Sequence, residues 1–343
     1  MRPLLNVLFV TRPDVYIGLK DENVIIRDDN TILLRYPLLN IEGIVSFSNL
    51  GVSPALLGIC AQRNISVCFL TPSGRFRARV IGPTKGNVLL RKKQYQVSDD
   101  ELKSLHISKN FIMGKVYNEK WQIERYIRQY PMRLPIDKMK QCSIELNNYL
   151  SKIRDCNDMD QLRGYEGLSQ VCYFSAFDDM ILNQKESFYF KGRNKRPPLD
   201  RVNCLLSFAY TLLTNDIAAA LESVGLDPYV GFMHTDRPGR VSLATDMIEE
   251  FRAPIADRFV LSLINKKRLN SSHFEIQENG AVYTNEEAIK IFYKSWHDSK
   301  EEKIKHPYLG EKIPWGLVPY AQALLLARLL RDDLDEYPPF FWK

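Results

Sequence analysis

The chain has 343 residues, with 47 Lys plus Arg against 41 Asp plus Glu for a formal net charge of +6, and it is 45% hydrophobic and 26% charged. These proportions sit near the globular averages and exclude disordered, collagenous and coiled-coil classes, while the length suits two domains or one with an appendage. Six cysteines, at 60, 68, 142, 156, 172 and 204, form no C-x-x-C pair and are too sparse for a disulfide scaffold, which predicts a reducing, cytoplasmic compartment.

The N-terminus enters strand-like sequence at once, without the basic, apolar and small-residue order of a signal peptide. Apolar runs at 4–10, 15–19, 24–26, 32–34 and 44–47 predict strands, with Asp28-Asp29-Asn30 as a hairpin loop and 55–62 as one short helix. Thr71-Pro72-Ser73-Gly74 predicts a turn between a strand over 65–70 and the alternating strand of Phe76, Ala78 and Val80.

Beyond residue 86 apolar residues recur at helical spacing, as at Ile112, Val116, Ile123 and Ile127. A boundary between 85 and 100 gives a β-domain over 1–90 and a larger helical domain over 91–343. Asp200 is placed to cap a helix running to Leu221, Thr284 with Glu287 has capping-box spacing, and 316–330 reads as an apolar final helix. The apolar stretch 205–221 is interrupted by Asn215 and Asp216 and is shorter than a bilayer span needs, so it reads as a buried helix and no membrane is expected.

Several devices are missing: G-x-x-x-x-G-K-[ST], G-x-G-x-x-G, H-E-x-x-H and a nucleophile elbow. Their absence argues against an ATPase, a Rossmann dehydrogenase, a zincin and an α/β-hydrolase. Charge is uneven, since residues 75–140 hold 16 Lys or Arg against 6 Asp or Glu, an excess of ten that predicts an anionic partner. The run Lys191 to Arg196 reads as a second basic loop.

Three stretches of the helical region stand out. Gly164-Tyr165-Glu166-Gly167 places a carboxylate between two glycines, read either as a close backbone approach or as the first turn of a helix. Gly231-Phe232-Met233-His234 ends an apolar triplet on a histidine and runs on to Arg237. In Asp246-Met247-Ile248-Glu249-Glu250-Phe251-Arg252, Asp246 and Glu249 lie one helical turn apart with Glu250 just around the helix. A histidine nitrogen with two carboxylates suits Mn²⁺ or Mg²⁺ better than a thiolate-bound zinc, and a hard divalent ion in a basic protein points to phosphodiester chemistry. Periodicity alone does not choose between Asp246 and Glu249. Arg237 and Arg252, each three residues past a candidate ligand, are placed to hold flanking phosphates.

At these residues the chain resembles the CRISPR-associated integrase of the spacer-acquisition module, the Cas one family. The resemblance is carried by Gly164-Tyr165-Glu166-Gly167, by Arg193 to Asn203 leading into Leu205-Leu206-Ser207-Phe208, by Gly231 to His234 and by Asp246 to Arg252, and it covers nearly the whole chain. It implies an α+β two-domain fold, an N-terminal β-sandwich-like domain followed by a larger all-α catalytic domain. It also implies a metal site of Glu166, His234 and Glu249 with Asp246 as a supporting acid, and homodimers, two of which are bridged by a small ferredoxin-like partner.

The function expected is therefore a metal-dependent DNA integrase and endonuclease, in which a DNA 3′-hydroxyl attacks a phosphodiester of the repeat array without ATP. Residues 75–140, Arg193, Arg196, Arg237 and Arg252 are expected to contact DNA phosphates. A general repair nuclease would use the same ligands with water as nucleophile, and a non-catalytic nucleic-acid scaffold would need the basic surface alone.

Overall fold

The computed structural model describes residues 7–29, 31–41, 43–63, 65–71, 76–80, 82, 88–194 and 197–343. The chain forms two compact units, Met1–Gly86 together with Thr284–Glu302, and Asn87–Tyr283 together with Lys303–Lys343.

In the first unit, β1 (Val7–Val10), β5 (Gly43–Ser46) and β6 (Ser66–Leu70) run parallel, and β7 (Phe76–Val80) closes the sheet antiparallel in the order β1-β5-β6-β7. A second, antiparallel sheet contains β2 (Tyr16–Lys20), β3 (Asn23–Asp28) and β4 (Thr31–Pro37). Short α1 (Pro54–Arg63) matches the helix expected there. Val10, Val15, Ile17, Val24, Ile26, Ile44, Leu56 and Val67 share one core, which is what alternating apolar residues on two facing sheets produce. The β3–β4 hairpin forms where Asp28-Asp29-Asn30 predicts it, although Asn30, like the predicted turn at 72–74, lies outside the described residues.

The second unit is mostly helical: α2 (Val88–Ser98), α3 (Glu101–Gln129), α4 (Ile136–Asp155), α5 (Met159–Ser175), α6 (Arg201–Ser223), α7 (Ser242–Met247) and α8 (Arg258–Asn265). It also holds the ribbon of β8 (Phe274–Ile276) with β9 (Val282–Thr284), so it is not all-α. After α9 (Glu286–Glu301) come a ribbon of β10 (Lys303–Lys305) with β11 (Lys312–Pro314) and the final α10 (Val318–Leu330). Asp200 caps α6 as expected, its carboxylate accepting from the Asn203 N–H at 2.7 Å. The apolar α6 is long enough to cross a membrane by composition, yet most of it is buried in the unit's core.

Three local readings change. Asn285, not Thr284, caps α9, accepting from the Ala288 N–H, because Thr284 still belongs to β9. Helix α9 belongs to the first unit, with Tyr293 stacked on Phe9 at 4.7 Å and beside Phe47 at 5.0 Å. Glu166 lies in the middle of α5, which begins at Met159 because Asp158 caps it, accepting from the Gln161 N–H.

Candidate active site

Lys115 on α3 is the centre of the site. Its ammonium is 1% exposed and pairs with Glu166 of α5 and, at 2.9 Å, with Glu249 Oε2. The other Glu249 oxygen pairs with Arg252 Nη2 at 2.8 Å. Burial alone would push the Glu249 carboxyl up, but Arg252 and then Lys115 outweigh it and hold the group well below the ordinary carboxylate range. Burial opposes the Lys115 charge too, and Glu249 and Glu166 more than restore it. The sequence placed Lys115 among the basic residues of 75–140 expected to contact DNA phosphates; the structure buries it between two carboxylates.

The backbone around Glu249 is irregular. Helix α7 ends at Met247, a 3₁₀ turn spans Ile248–Phe251, and a π-helical segment covers Arg252–Asp257 before α8 begins. Such segments re-aim side chains relative to a regular helix. Across this passage Asp246 and Glu249 take different partners, Asp246 the His234 loop and Glu249 the Lys115 and Arg252 cations. Gly114 of α3 makes the approach of this turn feasible, since a Cβ there would lie 2.9 Å from Glu250 Cβ.

Asp246 is fully buried and its carboxylate is saturated by acceptor roles. Oδ2 accepts from the Phe232 and Met233 N–H groups at 2.7 and 3.0 Å, and Oδ1 accepts from the His234 N–H at 3.0 Å. His234 Nδ1 lies 2.5 Å from the same Oδ1, so it carries the proton and leaves Nε2 as the ring's free lone pair. Gly231 is required at this loop: an added Cβ would meet Asp246 Oδ2 at 2.7 Å and Ser242 at 3.0 Å. Arg163, one turn before Glu166 on α5, donates to the Met233 carbonyl at 2.8 Å and ties the Glu166 helix to the His234 loop.

Glu250 faces another task. It accepts from Tyr337 and, at 2.8 Å, from the Phe340 N–H, while Gly114 crowds it, so it anchors the C-terminal segment to α3. Burial pushes its carboxyl up to about 7. Glu119, one turn beyond Lys115, is raised to about 8 by burial, against the opposing pull of Lys115, and its Oε2 has no hydrogen-bond partner among the described residues. Asp257 accepts from Tyr210 at 2.7 Å and Tyr173 at 3.0 Å, and burial raises it to about 6.

The predicted phosphate arginines divide. Arg237 is exposed in the loop after His234. Arg252 is occupied by Glu249 and lies 5.2 Å from the Tyr210 ring. Arg193 is mostly an internal tie, donating to Asn203 Oδ1 at 2.6 Å, to Ser207 Oγ at 3.1 Å and to the Asn194 carbonyl at 2.6 Å. Arg196 lies outside the described residues. The close approach expected at Gly164 and Gly167 does not come from the chain, because a Cβ at either meets nothing within 4 Å.

Among the described residues no three His, Cys, Asp or Glu side chains gather closely enough to enclose an ion. The donors fit a hard divalent ion by chemistry: two carboxylates already drawn to one cation, and an imidazole whose Nδ1 is clamped by a buried carboxylate. The cation between the carboxylates is the Lys115 ammonium.

A family model described as "CRISPR associated protein Cas1" matches residues 8–298. A "CRISPR-associated endonuclease Cas1 1" of Chlorobaculum tepidum is 45% identical over 343 residues, all of both chains. Among solved structures, "Casposase bound to integration product" aligns with a TM-score of 0.86 at 22% identity over 99% of this chain and 95% of that one. A "Cas6-RT-Cas1--Cas2 complex" aligns at 0.82 and 20% identity over 100% of this chain and 36% of that one. At such identities these two likenesses speak for the fold. The family match and the full-length relative at 45% identity speak for descent, and with them the chain belongs to the Cas1 family of CRISPR-associated proteins.

Proposed function

We propose that the chain is a divalent-metal-dependent DNA endonuclease and integrase that inserts new spacers into a CRISPR repeat array, joining a DNA 3′-hydroxyl to a repeat phosphodiester by transesterification. The observation that carries the reading is the convergence of Glu166 and Glu249, from separate elements, on one buried cationic position beside a histidine oriented by Asp246. A full-length relative named an endonuclease supports nuclease chemistry, and likeness to a casposase bound to integration product supports the joining reaction.

Glu166, Glu249 and His234 Nε2 would hold the ion, Mn²⁺ or Mg²⁺. When bound, such an ion supplies a Lewis acid that polarises a phosphoryl oxygen and offsets charge developing in the transition state. The chain's own groups do the rest. Asp246 fixes the His234 tautomer and ring orientation, Arg252 keeps Glu249 ionised and turned toward Lys115, and Lys115 neutralises the repulsion between the two carboxylates. Arg237, exposed on its loop, would meet a phosphate. No nucleotide triphosphate is required, since one phosphodiester is exchanged for another.

The same reading includes a homodimer acting with a small ferredoxin-like partner in the cytoplasm; likeness to the Cas1-containing chain of a Cas1–Cas2 complex supports only the association with another protein. The test is to assay Glu166→Gln, His234→Gln and Glu249→Gln for Mn²⁺-dependent joining of a short duplex to repeat DNA. Each is expected to lose joining while still binding DNA. Full joining by any two of them would refute the assignment.

A further inference from the structure

The C-terminal half of α3 carries a second group of charges. Lys120 Nζ lies 4.8 Å from the Trp121 ring centroid, Lys343 Nζ 4.3 Å and Arg128 Cζ 5.7 Å. Arg125 Cζ lies 3.6 Å over the Trp342 ring, and Arg258 covers both Trp342 and Trp315 at 5.2 and 4.6 Å. The rings are braced against one another: Trp315 on Trp342 at 5.4 Å, and Tyr117 on Phe341 at 4.6 Å. The tail that supplies Trp342 and Lys343 is fixed to α3 by Asn118, which accepts from the Trp342 N–H at 2.9 Å and donates to the Phe340 carbonyl at 2.7 Å.

Ring faces hold these cations where carboxylates ordinarily would. Glu124 comes within 3.9 Å of Lys120, but Arg125, Arg128 and Lys343 pair with no carboxylate among the described residues. Burial pushes Arg125 down to about 10, with Arg258 and Arg128 adding to it as neighbouring like charges. Such a cluster is relieved by an anion from outside. Its length indicates which kind. From Lys120 to Arg128 the helix rises about 12 Å at 1.5 Å per residue, and one strand of B-DNA presents a phosphate every 3.4 Å of axis, so roughly three to four phosphates face that length. A single phosphate group would use only one or two of the cations.

We propose that Lys120, Arg125, Arg128 and Lys343 form a phosphodiester track that holds a flank of the DNA substrate outside the carboxylate site. This rests on the nucleic-acid reading above. Lys115 lies five residues before Lys120, so one helix carries both the buried ammonium of the site and the track.

The experiment measures binding of a labelled duplex by fluorescence anisotropy across a salt series, without divalent metal, in full-length Glu166→Gln protein so that no chemistry intervenes. Arg128→Gln/Lys343→Gln alters two exposed side chains and leaves the packed rings in place. It is expected to weaken binding about tenfold at fixed salt and to reduce the log–log salt slope by about 2, near 0.9 per lost phosphate contact. Lys266→Gln/Arg268→Gln removes the same net charge from another exposed segment and is expected to leave the slope unchanged. If the Glu166→Gln parent binds DNA and the track variant keeps its affinity and slope, the track is refuted and the cations are left for an acidic protein. Equal loss in both double variants would also refute it, as unlocalised charge. If the parent and wild-type proteins fail to bind DNA at all, the nucleic-acid reading itself falls.

Discussion

His234 Nδ1 and Asp246 Oδ1 stand 2.5 Å apart, and the same buried carboxylate takes three successive backbone N–H groups from Phe232, Met233 and His234. One acid thus sets the loop, the ring orientation and the tautomer. Asp246→Asn keeps the volume but replaces one acceptor oxygen with a donor facing donors. We expect a loss of about 2–4 kcal/mol in stability and roughly 10–100-fold in metal affinity or activity. Denaturant unfolding and Mn²⁺ titration measure the two separately; His234→Gln should lose activity with little change in unfolding.

Lys115 separates two carboxylates, so its removal is expected to destabilise the metal-free protein and not only to slow it. Lys115→Met should cost about 3–5 kcal/mol in the presence of chelator, the usual cost of leaving a buried charge without its partner. Added Mn²⁺ should restore part of that loss by standing in for the missing cation, with a larger rise in Tm than wild type shows. Equal rises in both proteins would mean that the ion does not share the Lys115 position.

Gly231 admits the Asp246 carboxylate. Gly231→Ala places a methyl 2.7 Å from Asp246 Oδ2 and 3.0 Å from Ser242, both in buried surroundings. Overpacking of this kind costs about 1–3 kcal/mol, and here it should also cut joining activity by displacing His234. Gly167→Ala, which meets nothing within 4 Å, should leave stability unchanged or slightly raised.

Glu119 gives a pH signature. Its folded-state carboxyl is pushed up to about 8 by burial, against an ordinary value of 4.5, so the native state holds a proton that the unfolded chain releases. Stability from this group is complete below about pH 4.5 and is lost as pH rises toward 8. Glu119→Gln should therefore match wild type near pH 5 and exceed it near pH 8 by an amount on the order of a few kcal/mol. Denaturant midpoints across that range give the comparison; a constant difference would contradict the assignment.

Much of the fold is local enough to read from the chain. Alternation marks the strands, and Asp200 caps α6 because a short carboxylate followed by an apolar run has few better conformations. The candidate ligands were legible as residue types, but their division of labour was not. Asp246 and Glu249 look equivalent one turn apart in sequence, and only their tertiary partners, the His234 loop for one and Lys115 for the other, tell them apart. Lys115 looks like any solvated lysine on a long helix, since only tertiary packing brings Glu166 and Glu249 to it. The pairing of Tyr293 with Phe9 and Phe47 is likewise non-local, so a single boundary near residue 90 misses the return of α9 to the first unit.

The central claim, a site that directs a DNA 3′-hydroxyl at a phosphodiester, is tested most directly by the nucleophile. A branched substrate ending in a labelled 3′-hydroxyl and an identical one ending in a 3′-deoxy sugar are incubated with wild-type protein and Mn²⁺ without ATP. A positioned intramolecular hydroxyl can reach effective molarities of roughly 10⁵ M or more, far above water. The account predicts a rejoined strand from the hydroxyl substrate, little product from the deoxy substrate, and neither from Glu166→Gln. Cutting of both substrates at equal rates to hydrolysed ends would contradict it and leave a hydrolytic nuclease.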